Sequence, residues 1–279
     1  MATILIVGCG DLGSTVALQL AQEGHRVVGV RRSATALSNI EIIQADVTQP
    51  ETLKKLENIQ PDIIIYCVAA SGQTDAHYKA AYVDGLRNVL ATQANNVALQ
   101  HVFFVSSTRV YGQQTDAVLD ENTPAMAADF GGERLLEGER LLNDLTCGQT
   151  VLRLSGIYGP GRLRMINLAK TPELWPAQNS WTNRIHRDDA AKFLVLLVQK
   201  VLHQTPIAPC YIVTDSASVS QYEVLHWLAT QLRIPFNPHV PAIENGKRLS
   251  NQTMLTTGFE MQYPDYRAGY AALLALNTG

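Results

Sequence analysis

An excess of charge of either sign is missing: 22 Lys and Arg stand against 25 Asp and Glu in 279 residues, a net of -3. No basic stripe runs along the chain, so nucleic acid is a poor partner. Paired cysteines are missing as well. Cys9, Cys67, Cys147 and Cys210 lie far apart, form no CxxC, and fall mostly in apolar runs, which favours buried free thiols. The seven histidines are scattered, and none has a His or Cys partner four residues on, so no metal site is expected. Long apolar runs are absent. The longest, FLVLLV at 193–198, stops far short of the roughly 20 residues a membrane span needs. The opening MATILIVGCG lacks a basic leader and turns at Gly8, unlike a secretory signal. A cytoplasmic protein without a membrane partner is expected.

What is present is an ordinary globular composition, 46% apolar, in a chain long enough for about two domains. TILIV (3–7) reads as a strand buried on both faces. Leu12, Val16 and Leu20 follow at helical spacing, with Gly24 placed to end that helix. RVVGV (26–30), EIIQA (41–45), DIIIYCV (62–68) and HVFFVSS (101–107) repeat the strand pattern, with helical stretches near 51–58 and 78–95. TVLRLSGIY (150–158) and CYIVTD (210–215) read as later strands, and 188–202 and 219–232 as helices. Residues 159–183 break the rhythm. The fold class expected is α/β: a Rossmann-type doubly wound parallel sheet with a smaller C-terminal substrate lobe. The first domain spans 1–155, with segments near 184–215 returning to it, and the interleaved lobe spans 156–279.

The first strand runs directly into Gly8-Cys9-Gly10-Asp11-Leu12-Gly13, a GxGxxG that opens a helix. Gly8 suits a tight turn, Gly10 a backbone that a pyrophosphate can approach, and Gly13 close helix–strand packing. The helix N-terminus then holds phosphates. After the second strand an NAD site would place an acid, but this chain has Arg31, Arg32 and Ser33. Two guanidinium groups and a hydroxyl suit a 2′-phosphate, so NADP is expected over NAD; the alternative is a pair of solvated surface arginines. Asp46 either meets the adenine edge or serves as a turn or cap residue.

Several segments in order resemble the extended short-chain dehydrogenase/reductase family, of the NAD-dependent epimerase/dehydratase type. They are the GxGxxG at 8–13, Asp46-Val47, DIII leading to Ala69-Ala70, VSSTRVYG (105–112), LRLSGIYGPGR (152–162) and IHRDDAA (185–191). The resemblance implies that Ala69 and Ala70 flank the inner ribose and nicotinamide side, and that chemistry runs through a Ser/Thr, a Tyr and a Lys. Ser107 takes the Ser position, flanked by Ser106 and Thr108. Aligning the GERLL helix puts Gly131 at the Tyr position and Leu135 at the Lys position, and Tyr82 replaces the family's Asn. No YxxxK occurs elsewhere, which is similar to an atypical subgroup that keeps the cofactor site and has lost the standard acid/base pair.

Other groups carry two readings each. Thr108, Tyr158, Arg184 and His186 are possible substrate-site residues; packing for Tyr158, and a strand-to-helix cap for His186 with Asp188 and Asp189, are the structural alternatives. Glu133 and Arg134 lie near the vacated Tyr position or on an exposed face. Trp175 and Trp181 cover a pocket or pack the lobe, and Lys247 and Arg248 guide an anion or are solvated. The expected function is an NADP-linked oxidoreductase, epimerase or dehydratase acting on a small polar or nucleotide-linked substrate with non-standard catalysis. Its rival is a non-catalytic NADP-sensing or partner-binding module. The resemblance also allows a homodimer.

Overall fold

In a computed structural model that describes residues 1–276, the β-branched run Thr3–Val7 (β1) lies inside a seven-stranded sheet, with Ile4 to Val7 fully buried. Burial on both faces explains the continuous apolar run, since parallel sheets carry helices on either side. β1 pairs in parallel with Arg26–Arg31 (β2) and with Ile63–Tyr66 (β4). β2 continues to Glu41–Gln44 (β3), and β4 to His101–Ser107 (β5). Gly148–Leu154 and Cys210–Val213 complete the sheet beyond β5. The strand order therefore reverses between β1 and β4, and that switch point opens a crevice at the carboxyl ends of the strands.

The helix Asp11–Gln22 (α1) buries Leu12, Gly13, Val16, Ala17 and Leu20, the face its spacing foretold. It ends at Gly24, whose φ of +86° lets His25 N–H return to the Leu20 carbonyl. Asp75–Lys79 (α2), a π turn at Ala80–Asp84 and Gly85–Thr92 (α3) follow one another without a break. The helix thus starts three residues before its expected position, capped by Thr74. Pro50–Asn58 is a 3-10 helix. Phe130–Leu141 (α4) follows an N-cap at Asp129, whose carboxylate accepts Gly132 N–H at 2.9 Å.

The chain divides into two units. The first holds Met1–Gln113, Ala125–Arg153 and Ala191–Tyr211; the second holds Gln114–Pro124, Leu154–Ala190 and the chain from Ile212 onward. In the first, Leu5, Val28, Ile64, Tyr66 and Phe104 form part of a core with Leu86 and Val89 of α3. Each such side chain contributes about 1.5–3 kcal/mol of hydrophobic stabilisation. In the second, the helix Gln221–Leu232 packs Val224, Leu225 and Leu228 with Ile166, Tyr158, Tyr270 and Leu273.

The single strand read at 150–158 is two strands. Ser155 sends its N–H to the Val213 carbonyl, and Gly156–Tyr158 then pairs with Arg184–His186 in a separate parallel ribbon. The stretch 159–183 holds a helix, Arg164–Ala169, and a strand, Asn179–Thr182. No helix among the described residues is long and apolar enough to cross a membrane.

Candidate functional site

The glycine turn sits at the carboxyl end of β1. Gly8 and Cys9 both donate their backbone N–H to the Val30 carbonyl, at 3.0 and 2.9 Å, which pins the turn to β2. Gly8 has φ +91°, and a Cβ there would strike the Cys67 carbonyl; a Cβ on Gly13 would strike the Gly8 carbonyl. Gly10 differs, because its nearest neighbour to a built Cβ is 4.0 Å away, so its outer side is open. α1 also has no side-chain cap at its N-terminus, whereas α2 and α4 have one each. An open glycine beneath uncapped first-turn amides fits a pyrophosphate, and Asp11, Leu12 and Gly13 supply that turn. Cys9 is buried against Ser14, and burial pushes its thiol up, so it is a packing residue.

At the end of β2, Arg31 is half-buried and Arg32 and Ser33 are exposed. Neither arginine forms an ion pair among the described residues. Ser33 Oγ lies 3.3 Å from Thr35 Oγ1. Asp46 Oδ1 accepts from both the N–H and the hydroxyl of Thr48, at 2.9 and 2.8 Å, which makes Asp46 a turn residue. Val47 is buried, and its carbonyl accepts from Asn88. Ala69 and Ala70 follow β4, with Ala69 exposed.

At the end of β5, Ser107 Oγ accepts Arg109 N–H at 3.2 Å and caps the turn Thr108–Val110. The Ser107 hydroxyl proton is left for another acceptor. Thr108 is buried in that turn. Beneath it, Ser106 donates to Glu139 at 2.6 Å, Glu139 pairs with Arg153 at 2.6 Å, and Arg153 donates to Tyr111 at 2.7 Å. Gly131, at the expected Tyr position, is buried, and a Cβ there would lie 2.5 Å from Arg109 Cζ. Arg109 therefore fills that position. Its Nε bonds both Asp129 oxygens at 3.0 Å and its Nη1 bonds Tyr78 Oη at 2.6 Å. Its guanidinium stands 4.9 Å from the Tyr78 ring centre and 5.3 Å from that of Phe130. Leu135, at the Lys position, is 1% exposed and apolar. Tyr82 lies on the π turn with its hydroxyl bonded to the Ala70 backbone, and burial pushes that hydroxyl up. Sequence reading missed Arg109 and Tyr78, because a lone arginine after Ser-Thr carries no spacing signal.

The second unit gathers Tyr158, Arg184 and His186 on the short ribbon. Tyr158 and His186 are register partners with ring centres 5.2 Å apart, and Tyr158 also stacks on Tyr270 at 4.5 Å. Burial pushes the Tyr158 hydroxyl far up, and its oxygen has no hydrogen-bond partner among the described residues. Arg184 is buried over Tyr266, donates from Nη2 to Thr182, and has no partner for Nη1 among the described residues. His186 Nδ1 accepts Asp188 N–H at 3.2 Å, a helix-capping contact. Asp189 accepts the amides of Gln262 and Tyr263. Asp215, another buried residue that sequence reading passed over, is pushed up to about 7 by burial, against the pull of Arg184. Trp175 packs on Tyr222, His226 and Phe236, Trp181 lies under Arg248, Glu133 is exposed, and Arg134 pairs with Asp75 and Glu137. No group of metal-ligating side chains occurs among the described residues.

The sheet order, the glycine turn and the open helix end define a Rossmann-type α/β protein. The family model for the NAD dependent epimerase/dehydratase family matches residues 4–207, and the chain belongs to that family. A solved chain from Methylobacillus flagellatus, assigned as an NAD-dependent epimerase/dehydratase, is 48% identical, with a TM-score of 0.91 over 100% of this chain and 99% of that one. Protein YeeZ of Escherichia coli K12 is 29% identical over 95% of this chain and 97% of its own length. The Bordetella bronchiseptica enzyme WbmG, solved with NAD and UDP, shares the fold with a TM-score of 0.79 at 17% identity, covering 98% of this chain and 93% of that one.

Proposed function

We propose that the chain binds NADP in preference to NAD, and acts on a small polar or nucleotide-linked substrate by a route that bypasses the tyrosine–lysine pair. The observation that carries this reading is the uncapped, glycine-cleared start of α1, with two arginines at the end of β2 that have no ion-pair partner among the described residues. Gly8, Gly10, Gly13 and the first-turn amides hold the pyrophosphate, Arg31, Arg32 and Ser33 the 2′-phosphate, and Ala69 and Ala70 the nicotinamide side. NADP, when bound, supplies hydride exchange. Ser107 orients the substrate oxygen with its free proton. Membership of the epimerase/dehydratase family and the UDP held by WbmG support the nucleotide-linked class.

Calorimetry tests the cofactor assignment. A charge-assisted contact to the 2′-phosphate contributes about 1.5–3 kcal/mol, so NADP binds roughly 10- to 100-fold tighter than NAD, and Arg31→Asp reverses the order. An order left unchanged by Arg31→Asp rejects the role of the arginine, and an absence of nicotinamide binding rejects the reading as a whole.

The glycine at 131 and the leucine at 135 favour a second reading, a non-catalytic NADP-sensing module. Turnover of hydroxy or carbonyl compounds followed at 340 nm, and lost in Ser107→Ala, supports the enzyme. Cofactor binding that changes affinity for a partner, without turnover, supports the sensor.

A further inference from the structure

We propose that Arg109 is a substrate-recognition residue that takes a carboxylate at the carboxyl end of β5; this rests on the ligand-binding reading above. The residue stands on the sheet edge where doubly wound folds bind ligands, the same edge as the glycine turn. Its guanidinium is held rigidly. Nε is fixed by both oxygens of Asp129, Nη1 by Tyr78 at 2.6 Å and more weakly by Gln73 at 3.4 Å, and the rings of Tyr78 and Phe130 flank it. Gly131 clears the space it occupies.

A guanidinium carries five N–H donors, and the two on Nη2 have no acceptor among the described residues. The side chain is 31% exposed, so part of it faces solvent. Both hydrogens sit on one nitrogen and diverge, so a carboxylate oxygen accepts from one of them, on a donor already fixed in place at low entropic cost. Asp129 already offsets one unit of charge, so a monoanion fits better than a phosphate dianion. Arginine does not release its proton, so this group binds and orients and does not exchange protons.

The test uses protein labelled with ¹⁵N-arginine, with and without saturating NADPH, titrated with sodium D-glucuronate, D-glucose or sodium phosphate. The Arg109 Nε–H resonance is identified by its loss in Arg109→Lys. Glucuronate moves it saturably, with a half-point at least roughly tenfold below those of glucose and phosphate. In Asp129→Asn, where the competing carboxylate is gone, the glucuronate half-point falls further; a purely structural arginine would show no such response. A resonance that glucuronate leaves still, or that phosphate moves equally well, overturns the proposal. NADPH fluorescence measured on the same samples reports the cofactor site separately, so failure of that reading and failure of this one are distinguishable.

Discussion

Replacing Asp215 with asparagine should change how the stability of the protein depends on pH. Asp215 is 2% exposed; its Oδ1 accepts Ala217 N–H, and its Oδ2 has no partner among the described residues. Burial pushes its carboxyl up to about 7 from 3.8; Arg184 opposes that, and Asp265 and the raised hydroxyls of Tyr158 and Tyr270 complete the local electrostatics. The folded state thus holds a proton that the unfolded chain has released. Between pH 3.8 and about 7 stability falls as pH rises, by about 4 kcal/mol in total, because each pKa unit is worth about 1.4 kcal/mol. About 3 kcal/mol of that falls between pH 5 and 8. In Asp215→Asn the loss is absent, so the variant gains on the wild type by that amount across the interval. Thermal unfolding at half-unit pH steps reads the difference directly, at about 2–4 °C per kcal/mol for a protein of this size. Parallel curves for the two proteins would refute the buried neutral carboxyl.

His101 gives the opposite slope. Burial pushes its imidazole down to about 4, and Nε2 bonds Thr150 at 3.0 Å. Its folded value lies below the unfolded 6.5, so stability is full above that pH and is lost by about 3 kcal/mol as pH falls toward 4; His101→Gln should flatten that acid limb in urea titrations. Glu139→Gln leaves Arg153, only 12% exposed, without its counter-charge, and should cost about 3–5 kcal/mol in urea unfolding; a cost below about 1 kcal/mol would show that Tyr111 and Ser106 suffice. Gly131→Ala should cost about 1–3 kcal/mol through the clash with Arg109, and a double-mutant cycle with Arg109→Ala should recover most of it.

The strands β1 to β5 and the glycine turn were legible because burial on both faces writes a continuous β-branched run, and a steric requirement writes a glycine. Three features were not. The break at Ser155 is invisible because TVLRL and GIY share one side-chain pattern while bonding different neighbours. The π turn at Ala80–Asp84 adds a residue within a continuous helix, and no residue type in AAYVD marks it. Asp215 stands in VTDSAS, where an aspartate before serines reads as a turn; its burial comes from residues that meet it only in the folded second unit.

The candidate site shows why reading by position can find a loss and overlook its replacement. Aligned positions alone leave Gly131 and Leu135 as two missing catalytic groups. A glycine with nothing packed over it would leave a void at that point, and voids cost stability in proportion to their size. Instead the space over Gly131 holds a guanidinium with four neighbours fixing it, Asp129, Tyr78, Gln73 and Phe130, and any Cβ at 131 would collide with it. Leu135, where the family resemblance expects a lysine, is apolar and buried and brings no charge. Glycine at 131 and arginine at 109 are therefore sterically coupled. Each makes room for the other, and together they put a fixed guanidinium, paired with Asp129, where the family resemblance expects a tyrosine.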